Sequence, residues 1–142
     1  MNREVMITVL GESNTGNPGE GADKTKTLAK GLLEYKDSHM LATYEEKDPE
    51  SGVTLKTVLR FGEDFLEVKR SGSIESMLTF KKDERWESAY ETPYGSFLLA
   101  TVTDHFERSE NEEKINLHVA YDMEINNDFV SRNNTHIEIE FI

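Results

Sequence analysis

Residues 115–125, INLHVAYDMEI, indicate the fold class most directly, because apolar and polar side chains alternate along this stretch. Successive side chains of a β-strand point to opposite faces of the sheet, so a period of two is typical of a strand with one buried and one solvent-exposed face. The face predicted to be buried consists of Ile115, Leu117, Val119, Tyr121, Met123 and Ile125, and the opposite face includes Asn116, His118, Asp122 and Glu124.

The same alternation recurs in other parts of the chain. It runs through residues 135–141 near the end, residues 55–61 in the middle and residues 5–9 near the start. Short segments rich in Gly, Asp and Ser separate such runs, and these residue types favour tight turns. The turn signals lie at residues 36–39, 48–52, 62–64, 71–73 and 82–84. Regular short strands joined by tight turns predict an antiparallel meander.

About ten strands are predicted, and closure into a barrel removes the exposed edges that an open sheet would leave. We therefore predict an all-β fold in which a single antiparallel meander closes into a β-barrel of about 8–10 strands, with a two-sheet sandwich as the alternative. Residues 24–36, KTKTLAKGLLEYK, place Leu28 and Leu32 four apart, as an amphipathic helix would. Gly31 disfavours a helix interior by about 1 kcal/mol relative to Ala, so we predict a strand here as well.

A corner lies within residues 90–107, YETPYGSFLLATVTDHFE, where two alternating runs meet at Thr92-Pro93-Tyr94-Gly95. Pro presets the backbone φ angle for the second position of a turn, and Gly permits a tight exit from it. We predict that this corner turns the backbone and carries no chemistry. Tyr94 is interpreted as an aromatic plug at one end of the barrel, with a gate over an interior cavity as the alternative.

The composition is that of one domain, which we predict to span residues 1–142. Apolar residues make up 36% of the chain and charged residues 31%, a balance that suits a modest core under a polar shell. No apolar run approaches the ~20 residues that cross a bilayer, and the start, MNREVMITVL, lacks the long apolar stretch of a signal peptide. The chain has no Cys, which suits a reducing compartment. We predict a cytoplasmic protein with no membrane partner.

The net charge of −12 is concentrated toward the end of the chain. Residues 104–142 contain ten acidic and three basic residues, a net charge of −7. Such a surface repels phosphate backbones, since nucleic-acid affinity depends on Lys and Arg displacing counterions. The sequence therefore predicts no nucleic-acid partner. The acidic shell keeps the protein in solution, and a docking face for a basic partner is the alternative interpretation.

Residues 13–23, SNTGNPGEGAD, contain no apolar side chain larger than Ala, so we predict a mobile Gly-rich loop. A phosphate-binding loop would need Lys and then Ser or Thr directly after its last Gly. Here Ala22 and Asp23 intervene after Gly21, and the Asp23 carboxylate would repel a phosphate. The segment does not match the phosphate-binding motif.

Arg70 is the predicted interior residue with the most distinctive chemistry. It alternates with Leu66 and Val68 and therefore shares their predicted inner face. A buried guanidinium needs partners, and stacking on Trp86 with acceptors at Tyr90 would supply them. Arg70 is interpreted either as a clamp for the carboxylate of a ligand or as a structural latch that closes one end of the barrel.

Further candidate ligand contacts are Tyr121 and His105, in addition to Arg70, Trp86, Tyr90 and Tyr94. His105 is predicted to face the interior, because it shares its alternation with Phe97, Leu99, Thr101 and Thr103. A wider apolar lining is predicted from Leu55, Leu59, Leu66, Val68, Phe97, Leu99, Leu117, Val119 and Tyr121.

No cofactor, metal site or catalytic group is predicted. His118 and His136 fall on exposed faces of neighbouring predicted strands, and alternate residues on paired strands can converge on a metal, but solvated side chains are the usual arrangement. There is no nucleophile-elbow motif, and the acidic residues fall mainly at outward positions or in turns rather than as interior pairs. We do not expect an enzyme.

Three segments carry a resemblance to a known family: TLAKGLLEYKDSHMLATYEE, VKRSGSIESMLTF and YETPYG followed by an apolar strand. Between about Leu28 and Phe141 the chain resembles the YwiB-like family of uncharacterised bacterial calycin-type β-barrels. The most specific matches are Arg70-Ser71-Gly72, Met77 with Phe80, and Thr92-Pro93-Tyr94-Gly95. The resemblance implies a closed calycin-like barrel, in the broad group of lipocalins, fatty-acid-binding proteins and streptavidin. It implies no activity and no functional residue.

Two functions are consistent with these features. The first is the binding of a small amphipathic molecule inside a lipocalin-like barrel, a function that requires an interior cavity of at least about 300 Å³. The second is an interaction or regulatory protein with a filled core and an acidic partner-binding surface. The sequence predicts no oligomeric state.

Overall fold

The computed structural model describes residues 2–15, 22–48, 50–72 and 75–142. Within them the chain forms ten β-strands and no helix. The strands are β1 (Asn2–Asn14), β2 (Asp23–Tyr35), β3 (Met40–Lys47), β4 (Thr54–Phe61), β5 (Phe65–Ser71), β6 (Ser76–Lys81), β7 (Glu84–Thr92), β8 (Gly95–Glu110), β9 (Lys114–Ile125) and β10 (Asp128–Phe141). They form one antiparallel sheet in the order β6-β5-β4-β3-β2-β1-β10-β9-β8-β7. The predicted antiparallel meander of about 8–10 strands is confirmed.

The two ends of the chain meet in the middle of this sheet. Strand β1 pairs with β10 from Val5↔Phe141 to Asn14↔Arg132. The first and last strands therefore join the two halves of the sheet, and closure into a barrel depends on its edge strands, β6 and β7.

The edges of the sheet, β6 and β7, lie side by side along a seam. The Thr101 hydroxyl on β8 donates a hydrogen bond to the Thr79 carbonyl on β6, and Glu75 forms an isolated bridge with Glu91. The result is a nearly closed barrel rather than a complete ring of paired strands.

The core lies inside the barrel and is built from alternate residues of the strands, as the period of two predicts. Leu117 and Val119 are each 1% exposed and Tyr121 is 8% exposed, so the buried face predicted for β9 is confirmed from Ile115 to Tyr121, whereas Met123 and Ile125 are only half-buried. The core cluster consists of Val5, Ile7, Leu33, Ala42, Tyr44, Leu59, Phe61, Leu66, Phe80, Ile115, Leu117, Val119, Tyr121, Ile137 and Ile139.

Strand β2 contains the segment with mixed helix and strand signals. It pairs with both β1 and β3, so the predicted strand is confirmed. Leu28 and Leu32, the residues at helical spacing, both face outward, with exposed fractions of 63% and 46%. Gly31 faces inward between Val5 and Tyr44 in the strand register. The absence of a side chain at Gly31 lets β1, β2 and β3 approach closely there.

The predicted corner is a two-residue hairpin turn. Thr92 pairs with Gly95, the Tyr94 amide donates to the Thr92 hydroxyl over 3.1 Å, and that hydroxyl donates to the Gly95 carbonyl over 3.0 Å. Gly95 adopts a φ of +131°, a conformation that favours glycine. The interpretation of Tyr94 as a plug is wrong, because Tyr94 is 94% exposed at the hairpin tip.

Strands β1 and β2 extend into the segment predicted as a mobile loop. Ser13 pairs with Asp23, and Asn14 pairs with Arg132, so both ends of the predicted loop belong to the sheet. Residues 16–21, which contain the Gly-rich centre of the loop, lie outside the described residues.

A β-bulge at Asp104 interrupts the pairing of β8 with β9. Thr103 pairs with Tyr121, whereas His105 pairs with Ala120, the very next residue back along β9. The extra residue in β8 reverses which side chains face inward beyond this point. Thr101 and Thr103 are buried before the bulge, and Phe106 packs against the core after it. His105 and Glu107 consequently face outward.

An ion pair joins the outer faces of β9 and β10. The Lys114 ammonium lies 2.7 Å from the Glu138 carboxylate, whose side chain is 28% exposed. The hydrogen bond from Lys114 lowers the pKa of Glu138 below its usual value of 4.5. The contribution of this pair to stability is therefore complete above about pH 4.5 and is lost as the pH falls through the lower folded-state pKa, since the unfolded chain binds the proton first.

We predict that Glu138→Gln makes the free energy of unfolding less sensitive to acidic pH. Urea unfolding at about pH 6 and about pH 3.5 should show a smaller loss of unfolding free energy on acidification for this variant than for the wild type. Glu112→Gln is the matched control, because Glu112 is exposed and has no ion pair among the described residues. Equal acid sensitivity of the two variants would contradict the prediction.

In the part of the chain that the structure describes, no helix has the length and apolar character that crossing a membrane requires.

Candidate functional site

A cavity inside the barrel reaches toward the surface and has a volume of about 100 Å³. Most of its wall is apolar, and its polar side chains are contributed by five different strands. The cavity is lined by Val9, Tyr44, Leu59, Leu66, Val68, Arg70, Ser76, Leu78, Phe80, Val119, Tyr121, Thr135 and Ile137. Other depressions of about 330–430 Å³ lie on the outside of the barrel and are more open to solvent.

Four polar side chains form a row across neighbouring strands on the inner face. Tyr44 on β3 pairs with Thr57 on β4, Thr57 pairs with Arg70 on β5, and Arg70 pairs with Ser76 on β6. Side chains that are directly opposite in an antiparallel pair lie on the same face, about 5 Å apart at their Cβ atoms. The strand registers therefore place the Arg70 guanidinium beside hydroxyl groups.

Two buried tyrosines flank the cavity. Burial raises the pKa of Tyr44 above its usual value of 10.0, and the nearby positive charge of Arg70 offsets part of this rise. Burial also raises the pKa of Tyr121, with smaller opposing effects from a hydrogen bond with Thr135 and from the charge of Arg70. Both phenols therefore stay protonated at neutral pH and can donate hydrogen bonds into the cavity. The Tyr121 ring packs against Phe80, with ring centroids 4.5 Å apart.

Arg70 lies where the cavity opens, because it lines the cavity and is nevertheless exposed to solvent. Ion pairs are numerous on this acidic protein, but none joins Arg70 to a carboxylate of the described residues. A guanidinium offers several N–H donors and binds a carboxylate or phosphate through two parallel hydrogen bonds. The mouth of the cavity therefore has the donors that an anionic group requires.

The structure brings together only two of the residues predicted as ligand contacts, Arg70 and Tyr121, which both line the cavity. The predicted stacking of Arg70 on Trp86 is wrong, since the arginines that lie over aromatic rings in the described chain are Arg3, Arg60 and Arg108. Trp86 is 43% exposed, and its indole N–H donates to Glu84 over 3.2 Å.

Tyr90, His105 and Tyr94 lie away from the cavity as well. Tyr90 is half-buried on β7 opposite Phe97 and is not part of the cavity lining. The prediction that His105 faces the interior is wrong, because the bulge at Asp104 turns it outward, where its ring contacts His118. Tyr94 is at the exposed hairpin tip described above.

Three further polar residues, Tyr44, Ser76 and Thr135, line the cavity but were not among the predicted ligand contacts. Each alternates with apolar residues that face inward: Tyr44 with Ala42, Ser76 with Leu78, and Thr135 with Ile137. Thr135 already belongs to the alternating run 135–141, and Ser76 shares its alternation with Leu78, so only Tyr44 required the period of two to be extended, through β3. A polar residue at the end of an alternating apolar run was the sequence feature that could have indicated a polar residue in the cavity lining.

The volume of the cavity restricts what it can hold. Drug-sized ligands occupy sites of roughly 300–1,000 Å³. The cavity inside the barrel is therefore too small for a ligand of that size. By comparison with the ~30 Å³ that each water occupies in the liquid, about 100 Å³ admits a group of three or four non-hydrogen atoms. The arrangement can bind an anion at its mouth and accept a short apolar end. It contains no nucleophile with an adjacent base among the lining residues.

Comparison with known proteins supports the fold and leaves the function open. The chain is similar to the crystal structure of the YwiB protein from Bacillus subtilis, with a TM-score of 0.84 and 21% sequence identity over 99% of this chain and 93% of that one. This similarity shows the shared barrel fold. No functionally curated protein matches the chain. The predicted YwiB-like family membership is confirmed, and because residues 7–137 match the domain of unknown function DUF1934, the protein belongs to that family.

Proposed function

We propose that the barrel binds a small amphipathic molecule at its mouth, with the anionic end of the molecule paired with Arg70 and a short apolar end in the cavity, because a cavity of about 100 Å³ is too small to hold a whole ligand inside, as a lipocalin-like barrel does. The observation that carries this proposal is the exposed Arg70 at the mouth of an apolar cavity, without a carboxylate partner among the described residues. Tyr121 and Ser76 supply further hydroxyl groups around the same opening.

The cavity volume selects the size of the ligand. An apolar end of three or four carbons fits the space of about 100 Å³ while the carboxylate stays at the mouth beside Arg70, whereas the chain of a long fatty acid does not fit. So few atoms can bind only weakly, and we expect a dissociation constant of about 1–10 mM for such a fragment. Butyrate is therefore a suitable probe.

The test is an NMR titration of ¹⁵N-labelled protein with butyrate. We expect the backbone amide signals of Val119, Tyr121 and Thr135 to shift in a saturable manner. Arg70→Gln should weaken binding by at least about tenfold, because a hydrogen bond to a charged group contributes about 1.5–3 kcal/mol. Inorganic phosphate has the negative charge but no apolar end. It should therefore shift the backbone amide signals near Arg70 and have a weaker effect on the amide signal of Val119.

Lys69→Gln is the matched control for this experiment. Lys69 is the preceding residue on β5, is exposed, and points to the opposite face of the sheet from Arg70. The variant loses the same formal charge, and its butyrate affinity should stay within about twofold of the wild type. Equal weakening in the two variants, or no saturable shift in the wild type up to about 50 mM butyrate, would contradict the proposal.

A filled barrel with an acidic partner-binding surface is the second candidate, and the small volume of the cavity favours it. Several carboxylates in residues 104–142 are already paired with cations of the protein: Arg132 pairs with Asp104 and Asp122, and Arg85 pairs with Glu124. This pairing reduces the charge available to a basic partner. Capture of a partner from native extract at low salt with release at high salt would support this function, and capture that does not depend on salt would count against it.

A further inference from the structure

A cluster of imidazole and carboxylate groups lies on the outside of the barrel, away from the cavity. His105, Glu107 and His118 each place a ligand atom within 4.8 Å of those of the other two. The His105 Nε2 atom is 3.4 Å from a Glu107 carboxylate oxygen, and the His105 and His118 rings are 5.0 Å apart at their centroids. The three side chains come from two adjacent strands, β8 and β9.

The strand register explains why these groups converge. Glu107 is directly opposite His118 in the β8–β9 pair, and His105 precedes Glu107 by two residues on the same face. His105 is opposite Ala120, which is 6% exposed. The small side chain of Ala120 leaves space above it for the imidazole rings.

The bulge at Asp104 is what builds the cluster. Without the extra residue, the alternation of β8 would direct His105 into the barrel together with Thr101 and Thr103. β-bulges often redirect a side chain at a functional site. Here the bulge is held from outside by Arg132, whose guanidinium lies 2.7 Å from the Asp104 carboxylate and 3.2 Å from that of Asp122.

We propose that His105, Glu107 and His118 bind a divalent transition-metal ion, for which Zn²⁺ is the matching probe. Two imidazoles and one carboxylate are a ligand set that zinc uses in proteins, with a fourth position open to water. Ligand atoms at about 2.0–2.1 Å from a tetrahedral zinc are about 3.3 Å apart, close to the 3.4 Å between His105 and Glu107. The His118 ligand atom lies within 4.8 Å of the other two, so metal binding requires a side-chain movement of at most about 1.5 Å to reach that spacing.

Neighbouring side chains support this ligand assignment. The Asn134 amide oxygen lies 3.3 Å from the His118 Nε2 atom, and a polar partner of this kind orients a ligating imidazole. His136 stacks on the other side of His118, with centroids 5.6 Å apart and an angle of 28° between the rings, and it is not part of the group of converging ligand atoms. We therefore assign His136 as a packing neighbour and not as a ligand.

The test is isothermal titration calorimetry of the tag-free protein with ZnCl₂. We expect uptake of one Zn²⁺ ion per chain and no displacement by excess Mg²⁺, because Mg²⁺ prefers oxygen ligands. Removing one of three ligands in His118→Ala or His105→Ala should weaken binding by about 100-fold, and Glu107→Gln by at least about tenfold. Circular dichroism of each variant verifies that the barrel is still folded.

Two control variants distinguish Zn²⁺ binding at this site from Zn²⁺ binding by any exposed histidine. His39→Ala removes an exposed imidazole in the turn between β2 and β3, and His136→Ala removes the stacked neighbour of His118. Both should keep the wild-type stoichiometry and bind within about threefold of the wild type. In long-range ¹H–¹⁵N spectra, Zn²⁺ should shift the ring signals of His105 and His118 but not those of His39.

Several results would overturn the proposal. Failure of the folded wild type to bind Zn²⁺ would exclude the site, and so would an equal loss of affinity in His39→Ala and His118→Ala. A loss in His136→Ala as large as that in His105→Ala would show that the ligand assignment is wrong. Since the site shares no residue with the cavity, these results are independent of butyrate binding.

Discussion

Phe61→Ala should lower the free energy of unfolding by about 3–5 kcal/mol, because it removes a fully buried aromatic ring and leaves a cavity in the core. The Phe61 side chain is 0% exposed at the end of β4. It pairs with Met40 on β3 and Leu66 on β5, and the Arg108 guanidinium lies over its ring at 5.6 Å. These three neighbours cannot all move in to fill the cavity that the substitution leaves, because each belongs to a strand whose position is fixed by its pairing in the sheet.

The matched control is Phe129→Ala. Phe129 is 54% exposed on β10, so the same substitution there should change the unfolding free energy by less than about 1 kcal/mol. Urea denaturation followed by circular dichroism measures both variants. If the two variants lost similar amounts of unfolding free energy, Phe61 would not be packed in the barrel interior as described. The small volume of the interior cavity would then no longer be supported.

Gly31→Ala should destabilise the protein by about 2–3 kcal/mol, although Ala is the smallest change available. A Cβ atom at Gly31 would lie 2.5 Å from the Thr43 carbonyl oxygen and 2.8 Å from the Ile7 Cδ1 atom. The Thr43 oxygen is part of the backbone of β3, so it can move away only if the pairing of β2 with β3 shifts. The loss should appear as a lower urea midpoint with an unchanged m-value.

Gly11→Ala is the control for this prediction. A Cβ atom there would approach only the Thr25 hydroxyl, at 2.7 Å, and that hydroxyl can rotate to another staggered position. We expect a cost below about 1 kcal/mol. An equally large cost in Gly11→Ala would indicate that the loss comes from glycine replacement in any strand and not from the close approach at Gly31.

Most of the fold could be predicted from local patterns. The alternation in residues 115–125 predicted the buried face of β9, and the Thr92-Pro93-Tyr94-Gly95 motif predicted the corner between β7 and β8. These features depend on neighbouring residues only, because the period of two and the turn preferences are properties of the chain itself. For the same reason β2 could be recognised as a strand in spite of the helical spacing of Leu28 and Leu32.

The candidate site was predicted only in part. Arg70 and Tyr121 were expected inside the barrel and do line the cavity. Tyr44 was missed, and Trp86 was placed beside Arg70 although it lies on β7 at the seam of the barrel. Which inward-facing side chains meet depends on the order and register of strands that are distant in sequence, and no local pattern carries that information.

The sequence alone therefore determined the strands, their turns and which residues of each run are apolar. Only the tertiary structure decided the place of the seam, the size of the cavity and the direction of His105. The physical reason for the last is the bulge at Asp104. One unpaired residue reverses the facing of every side chain that follows it, and whether a strand contains such a residue is set by its pairing with a neighbour and not by its own alternation.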